Sequence, residues 1–317
     1  MDLFIGSIQL KHKECIHLLV PDAFKEKIAG AFGAAGSAWL ASLENLVQEF
    51  IVKWNLTIEG PVPNLSYNYV LKAKDSAGKP VILKLGVPGF DFSNEIQTLK
   101  VYDGAGCAKL LRADPERGAI LLEQLKPGFM LCEEKDETKA VQHFLKVWKA
   151  MRRPVPADVN SPTINDWAMG LDRYLKEYPY GDGPIQEKYI SLAASLFKEI
   201  NATSKTDELL HGDLHHENIL FSHDRGWLAI DPKGVSGDAY YGLISFLINH
   251  IFDKKNPKEL LIHRLNILTN NTGIDRGRLL KAAVAMSILY ACWGIEDQDP
   301  EWENTYRCAE WFQELRH

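Results

Sequence analysis

Apolar residues near the start of the chain recur with a helical period. Between residues 37 and 54, large apolar side chains return every three or four positions, which predicts a helix with one apolar face packed against the protein. Pro21 suits the first turn of a preceding helix, because a backbone N–H at that position would have no partner. The first sixty residues therefore predict a helical extension.

Further along, the pattern changes to a period of two, which predicts strands. The β-prone runs 67–74 and 80–86 flank a turn that contains Gly78, and they indicate a hairpin. A second pair of such runs covers residues 109–114 and 119–125. Together these runs predict a small antiparallel sheet that follows the helical extension.

Helical periodicity dominates after Pro127-Gly128, where we expect the division between two parts, residues 1–126 and 127–317. The exception is a hairpin predicted from the runs 219–222 and 227–230, which flank a His-Asp-Arg-Gly turn. The predicted helices cover residues 138–151, 165–178, 184–201, 257–268, 278–293 and 305–315. The sequence therefore predicts an α+β fold with a small sheet-containing part and a large, mainly helical part.

Length and composition are those of a globular chain with more than one core. A chain of 317 residues exceeds what a single core usually holds, so two lobes or two domains are expected. Hydrophobic residues make up 46% and charged residues 25%, which is ordinary for a globular protein. The formal net charge of −6 disfavours nucleic-acid binding and is compatible with a cationic small-molecule substrate.

The cysteines and the apolar stretches indicate a cytoplasmic location. Five cysteines are dispersed without C-x-x-C spacing, which favours a reducing compartment over a disulfide framework. Residues 1–10 lack the pattern of a signal peptide. The longest apolar candidate for a membrane span, residues 282–295, is shorter than the roughly 20 residues that a spanning helix needs. We therefore expect no membrane association.

The stretch from residue 209 to 234 carries the most informative polar side chains. Asp213 precedes Asn218 by five positions, and the hairpin between Asn218 and Asp231 is expected to return Asp231 to the same end. Phosphoryl transfer from ATP needs a carboxylate that orients a hydroxyl and accepts its proton, and oxygen ligands that hold Mg²⁺ on the phosphates. These three side chains supply both.

The motifs His211-Gly-Asp213, Asn218 and Ile-Asp231-Pro-Lys-Gly resemble those of the aminoglycoside phosphotransferases, a branch of the protein-kinase-like fold. They are most similar to the streptomycin and hydroxyurea resistance kinases. The resemblance implies a bilobal fold in which Asp213 is the catalytic base, His211 braces the catalytic loop, and Asn218 and Asp231 hold Mg²⁺. The implied reaction transfers the γ-phosphate of ATP to a hydroxyl of an aminoglycoside or a related, streptomycin-like aminocyclitol.

Lys84 lies inside an apolar strand, where a charged side chain is costly unless it is paired. The resemblance makes Lys84 the lysine that holds the α- and β-phosphates. It makes Glu95, in the first turns of the following helix, the partner of that lysine. An ordinary surface ion pair is the alternative for these two residues.

The segment expected to cover the phosphates is unusual, because residues 61–77 include no glycine. Aminoglycoside kinases often have degenerate loops there, so the resemblance makes Ser66 and Asn68 candidate contacts to the nucleotide. It also assigns the backbone of Gln124 and Leu125, at the expected hinge, to adenine.

The segment after Asp231 leaves no room for the platform on which protein kinases bind a polypeptide, because a predicted helix starts shortly after Asp238. We therefore expect a small-molecule hydroxyl acceptor and no activation by phosphorylation. In the resembling enzymes the C-terminal region helps to form the acceptor pocket, so Asp238, Glu296 and Asp297 are candidates to bind amino or guanidino groups. A solvated acidic face is the alternative for each of them.

Other functions stay open at this stage. The acceptor could be a choline-like amine or a sugar derivative. The glycine-free loop, and Gly242 at a position where relatives usually carry an acid, make a non-catalytic nucleotide-binding protein a second alternative. The histidines and acids of residues 211–217 could instead bind a transition metal or serve a metal-dependent phosphohydrolase. The sequence predicts no oligomeric state.

Overall fold

The computed structural model describes residues 18–270 and 272–316, and the chain forms two compact units. Of the described residues, the first unit holds 18–88 together with Glu116–Ala119. The second unit holds Gly89–Pro115 and the residues from Ile120 onward. The segment expected to lack a signal peptide, residues 1–10, lies outside the described residues.

The first unit begins with helix α1 (Asp22–Trp54), which follows Pro21 as predicted and bends sharply at Gly33. Gly33 has a φ of 54° and a ψ of −130°, a combination open to glycine because it has no Cβ. The rings of Phe24 and Trp39 lie 6.3 Å apart, whereas fifteen residues of straight helix would separate them by about 22 Å. The helical extension is therefore a folded pair of helical arms.

Three strands complete the first unit: β1 (Thr57–Pro61), β2 (Tyr69–Lys74) and β3 (Pro80–Leu85) run antiparallel in chain order. Buried and exposed residues alternate along most of β2, as the period of two predicted. The register pairs Lys74 with Pro80 across a turn in which Gly78 has a φ of 77°. The predicted hairpin is confirmed.

The second unit is mainly helical. Helix α2 (Phe90–Tyr102) leads to the neighbouring strands β4 (Leu110–Asp114) and β5 (Ala119–Glu123). The remaining strands are β6 (Pro127–Met130), β7 (Glu208–Leu210), β8 (Ile219–Ser222), β9 (Gly226–Ala229) and β10 (Val235–Gly237). The helices after β6 are α3 (Glu137–Met151), α4 (Ile164–Glu177), α5 (Glu187–Thr203), α6 (Ile244–Ile248), α7 (Pro257–Thr269), α8 (Arg276–Glu296) and α9 (Trp302–Glu314). The predicted α+β fold is confirmed, and each predicted helix after residue 127 is present with shifted ends.

Helix α8 is the central helix of the second unit, and it packs against α5 and α9. Among the described residues it is the one helix long and apolar enough to cross a membrane, and 67% of its most apolar window is buried inside the protein. The apolar stretch 282–295 is thus part of a longer helix than the sequence indicated. Its burial in the core accounts for its composition.

Helix α2 belongs to the second unit, to which it is fastened by hydrogen bonds. The Tyr102 hydroxyl donates to the carbonyl of Leu209 at 3.0 Å. The Asn94 side-chain amide donates to the carbonyl of Gly234 at 2.8 Å. The Arg153 guanidinium also donates to the carbonyl of Tyr102 at 3.0 Å.

Candidate active site

The β8–β9 hairpin brings two of the predicted site residues to the same end. Ile219 pairs with Ala229, and the N–H of Ile230 donates to the carbonyl of Asn218 at 2.9 Å. Asp231 follows Ile230 directly, so Asn218 and Asp231 begin and end the same hairpin. Asp231 is exposed and has a φ of 56°, in the left-handed region.

The loop before β8 is folded around the backbone of Asp213. The carbonyl of Asp213 accepts hydrogen bonds from the N–H of His215, at 3.0 Å, and from the Asn218 side-chain amide, at 2.9 Å. The N–H of Asp213 donates to Nδ1 of His211 at 3.2 Å. Both polar groups of the Asp213 backbone are therefore hydrogen-bonded, which fixes the backbone position from which the carboxylate side chain extends.

His211 connects this loop to the end of the hairpin. Its ring is 3% exposed, and Nε2 lies 2.7 Å from the carbonyl of Ile230. Burial lowers the pKa of His211 to about 4, so the ring is neutral at physiological pH. A neutral ring that donates from Nε2 to Ile230 and accepts at Nδ1 from Asp213 satisfies both contacts. This geometry supports a bracing role.

Two cationic or potentially cationic groups flank the Asp213 carboxylate. Nζ of Lys233 lies 3.1 Å from Oδ2, and Nε2 of His215 lies 3.7 Å from Oδ1. Burial alone would raise the pKa of the Asp213 carboxyl, but Lys233 and His215 together outweigh it and hold the pKa below its usual range. The carboxylate is therefore ionised at neutral pH, and this is the form that can accept a hydroxyl proton.

The donor set of Asn218 and Asp231 fits Mg²⁺. The Asn218 side-chain amide donates to the carbonyl of Asp213 at 2.9 Å, and its nitrogen lies 3.1 Å from Nε2 of His215. The amide group therefore presents its carbonyl oxygen to a cation. A carboxamide oxygen beside a carboxylate is the kind of hard donor pair that Mg²⁺ binds.

The three histidines of the loop do not converge on a common point. His211 contacts Ile230, His215 contacts Glu217 at 2.8 Å, and His216 contacts Asn249 at 2.7 Å. Within residues 18–270 and 272–316, no group of three or more His, Cys, Asp or Glu is placed to hold a metal ion. The geometry thus gives the transition-metal interpretation no support.

His215 is also the end of a polar chain that reaches the surface. Its Nδ1 contacts Glu217, whose other oxygen contacts His250, and His250 contacts Asp253 at 2.6 Å. Burial acts against the charged form of Glu217, but hydrogen bonds from both histidines lower its pKa to about 2. This series of side-chain contacts fixes the orientation of His215 beside Asp213.

Sequence reasoning missed Lys233, which contacts Asp213, and Trp167, which lies against the adjacent Gly212. Gly212 explains how both come so close: a Cβ there would lie 3.1 Å from Cη2 of Trp167 and 3.2 Å from Cβ of Lys233. Gly212 also has a φ of 84°, which disfavours other residues. Trp167 meets Trp293 edge to face, with ring centroids 5.4 Å apart. The position of Lys233, directly after Asp231-Pro, could have indicated a site residue, but nothing in the sequence marked Trp167.

The proposed nucleotide residues are distributed between the units. Lys84 lies on β3 in the first unit and is 2% exposed, and Glu95 lies on α2 in the second unit and is 8% exposed. In the loop between β1 and β2, Oγ of Ser66 accepts from Nζ of Lys27 at 3.1 Å. Asn68 lies in the same loop and is half-buried.

Gln124 and Leu125 follow β5 in the second unit. Leu125 is buried with Ala108 and Leu228. Gln124 has a buried side-chain oxygen without a hydrogen-bond partner. Their backbone stays the candidate contact to adenine.

The three proposed acceptor residues occupy different settings. Asp238 is 7% exposed, and its carboxylate accepts from Arg278 at 2.5 Å, from Ser204 at 3.1 Å and from the N–H of Tyr240 at 3.0 Å. These contacts give Asp238 a structural role inside the second unit. Gly242 lies apart from these contacts, against Trp148 and beside a small cavity that His211 and Leu214 also line.

Glu296 and Asp297 lie at the end of α8. Glu296 is exposed and forms a salt bridge with Arg173 on α4 at 3.1 Å. Asp297 is exposed and caps the helix. Their part in acceptor binding therefore stays a proposal.

Comparison with known families gives one extended match. A family model described as aminoglycoside/hydroxyurea antibiotic resistance kinase matches residues 53–298. A streptomycin 6-kinase of Streptomyces glaucescens is 30% identical over 285 residues, which cover 88% of this chain and 91% of that protein. A hydroxyurea phosphotransferase of Kitasatospora aureofaciens is 31% identical over 271 residues, which cover 84% of this chain and 77% of that protein.

Solved structures with the same fold include kinases of different small molecules. A choline kinase from Streptococcus pneumoniae has a TM-score of 0.60 at 16% identity, covering 86% of this chain and 99% of that chain. A mutant of aminoglycoside phosphotransferase APH(4)-Ia, in complex with ADP and hygromycin B, has a TM-score of 0.60 at 12% identity, covering 85% and 97%. Identities this low show the shared protein-kinase-like fold alone.

Proposed function

Because this chain belongs to the aminoglycoside/hydroxyurea antibiotic resistance kinases, we propose that it transfers the γ-phosphoryl group of ATP to a hydroxyl of streptomycin or a related aminocyclitol. The observation that carries the proposal is that Asn218 and Asp231 share one end of a hairpin, and that His211 ties this end to the loop with the ionised carboxylate of Asp213. A non-transferring nucleotide-binding protein would have no need of this arrangement.

In the proposed reaction the acceptor hydroxyl donates a hydrogen bond to Asp213. As the oxygen attacks the γ-phosphorus, its proton passes to Asp213, and ADP leaves with the bridging oxygen. Asn218 and Asp231 would hold Mg²⁺, whose charge offsets that of the phosphates. His211 keeps the loop in place, so catalysis rests mainly on positioning and charge neutralisation.

The nucleotide contacts that we propose follow the predicted residues. Lys84, with Glu95 as its partner, steadies the α- and β-phosphates, since a lysine 2% exposed needs a charged partner. The further contacts that we propose are Ser66, Asn68 and the backbone of Gln124 and Leu125.

The acceptor is a small molecule with cationic groups, and we place the protein in the cytoplasm. The short segment after Asp231 supports the small size, because Ala239–Leu243 already forms a helical turn that continues into α6. The net charge of −6 favours a cation. Trp167, Trp293, Glu296 and Asp297 are the proposed acceptor-side residues.

An acceptor panel with Mg²⁺ and ATP tests this function. Streptomycin should give ADP release above the no-acceptor rate and a product heavier by one phosphoryl group. Hydroxyurea belongs in the panel because a hydroxyurea phosphotransferase is 31% identical. If neither compound raises ADP release, the proposed acceptor class is wrong.

Two variants test the site itself. Asp213→Asn should lower kcat by about 10²–10⁴-fold, because the hydroxyl proton loses its acceptor. Asp224→Asn, at an exposed position in the β8–β9 turn, should behave like the unmodified protein. Near-normal turnover of Asp213→Asn would refute the assignment.

A further inference from the structure

The turn after Asp231 holds the backbone of Lys233 from two sides. Its N–H donates to the carbonyl of His211 at 2.8 Å, and its carbonyl accepts from the Asn94 side-chain amide at 2.5 Å. The next residue, Gly234, repeats both contacts at 3.1 and 2.8 Å. Movement of Lys233 is therefore confined to its side chain.

That side chain reaches across Gly212 to the open side of Asp213. Nζ lies 3.1 Å from Oδ2 of Asp213, and the Lys233 side chain is 62% exposed whereas that of Asp213 is 31% exposed. The absence of a Cβ on Gly212 allows this path, since a Cβ there would lie 3.2 Å from Cβ of Lys233. The ammonium group thus stands where a substrate would approach the carboxylate.

A reacting hydroxyl has to come within hydrogen-bond distance of the Asp213 carboxylate, and the phosphorus that it attacks lies next to that oxygen. An ammonium group already 3.1 Å from the carboxylate can reach the oxygens of that phosphoryl group by rotation of its own side chain. Lysine carries three donors and no acceptor, so it can contact phosphoryl oxygens and a carboxylate together.

We propose that Lys233 is a catalytic residue of the phosphoryl transfer, which releases Oδ2 of Asp213 to the acceptor hydroxyl and binds the oxygens of the γ-phosphoryl group. This inference rests on the proposed function. Lys84 is assigned to the α- and β-phosphates, so the charge on the transferring group itself calls for another cation. In the transfer the acceptor oxygen bonds to phosphorus, the bond to the bridging oxygen breaks, the hydroxyl proton goes to Asp213, and Lys233 stays protonated.

The test compares nucleotides that differ by the γ-phosphate. Affinities for a non-hydrolysable ATP analogue and for ADP are measured with Mg²⁺ for the unmodified protein and for Lys233→Met, Lys233→Gln and Lys233→Arg. Lys233→Met and Lys233→Gln should weaken binding of the ATP analogue by about tenfold or more and leave ADP binding unchanged, because a charged hydrogen bond to the γ-phosphate is lost. Lys233→Arg should retain part of the preference for the ATP analogue. The matched control is Lys205→Met, an exposed lysine away from the site.

Turnover gives the second readout. Lys233→Met and Lys233→Gln should lower kcat about 10²–10³-fold, the scale seen when one donor to a developing negative charge is removed. Equal loss of affinity for both nucleotides, or a kcat within about threefold of normal in the folded variants, would overturn the proposal. The nucleotide titration needs no acceptor. A protein that shows the Lys233-dependent preference but phosphorylates no aminocyclitol would refute the proposed acceptor and not this inference.

Discussion

Asn94 on helix α2 donates its side-chain amide to the backbone carbonyl of Gly234, two residues past the Asp231-Pro pair, at 2.8 Å. Thr98, one turn further along α2, packs so closely that a Cβ on Gly234 would lie 2.0 Å from its Oγ1. The helix that carries Glu95 is thereby fastened to the segment that follows the proposed metal ligand. The position of α2 and the conformation of this segment should therefore change together.

Replacement of Asn94 by alanine removes the donor for two carbonyls, those of Lys233 and Gly234. We expect the free energy of unfolding to fall by about 1–3 kcal/mol and kcat to fall with it. Urea unfolding and steady-state kinetics measure the two effects. Asn64→Ala, at an exposed loop position, is the control and should leave both values unchanged.

Gly234→Ala should be far more damaging than Gly78→Ala. Both glycines have a positive φ, 72° and 77°, so both substitutions carry a backbone cost of roughly 1–2 kcal/mol. Gly78 faces open space, whereas a Cβ on Gly234 meets Thr98 and Asn94. Thermal unfolding should show a small loss for Gly78→Ala and a larger one for Gly234→Ala. Equal losses would contradict the close packing of α2 on this turn.

Acidification should destabilise the protein through two buried histidines. Burial lowers the pKa of His211 to about 4 and that of His216 to about 3, from about 6.5 in the unfolded chain. The unfolded state therefore binds more protons, and the stabilisation is complete above pH 6.5 and declines as the pH falls towards the folded values. Each group should contribute a slope of about 1.4 kcal/mol per pH unit within that window.

Urea unfolding at several pH values between 7 and 4.5 measures this slope. His216→Gln should reduce the slope of the unfolding free energy with pH by the contribution of one histidine. His263→Gln, at an exposed position, should not change it. A slope unaffected by His216→Gln would show that His216 is not buried in its neutral form.

Trp167→Ala tests the acceptor side of the site. The indole lies against Gly212, next to Asp213, and a substrate with guanidino groups could stack on it. We expect the KM for the acceptor to rise about tenfold, while the KM for ATP stays the same. Tyr180→Ala removes an aromatic ring that is 91% exposed and serves as the control. A change in the KM for ATP alone would place Trp167 outside the acceptor site.

Asp238→Asn separates a structural role from acceptor binding. Loss of the charge opposite Arg278 in a largely buried pair should lower the free energy of unfolding by about 3 kcal/mol. The KM for the acceptor should not change. Glu296→Gln, in an exposed pair with Arg173, should cost less than about 1 kcal/mol. A raised acceptor KM with normal stability would instead support Asp238 as a substrate ligand.

The predicted parts of the fold are those with local causes. The β8–β9 hairpin follows from two β-prone runs around a turn, and it determines that Asn218 and Asp231 share an end. The helix after Pro21 follows in the same way from a proline at its first turn.

The missed features depend on contacts between distant positions. Trp167 reaches Gly212 across 45 positions, and Asn94 reaches Gly234 across 140, so no local pattern marks either pair. Asp238 looked like an available carboxylate because its partner Arg278 is 40 positions away. The hydrogen bonds of Asn94 and Tyr102 on α2 to the segments around Gly234 and Leu209 likewise join positions more than 100 residues apart.

The glycine-free loop between β1 and β2 packs against the arm of α1 that precedes the bend at Gly33. Lys27 donates to Ser66 and lies 4.3 Å over the ring of Tyr67, and Phe32 meets the same ring edge to face. A truncated protein that starts after residue 56 would still contain every phosphotransferase motif named above. It would, however, lack the helical arm that supports this loop. Mutations in the loop and in the helical arm should therefore be inherited as compensating pairs, and swapping either segment alone between relatives should impair nucleotide binding.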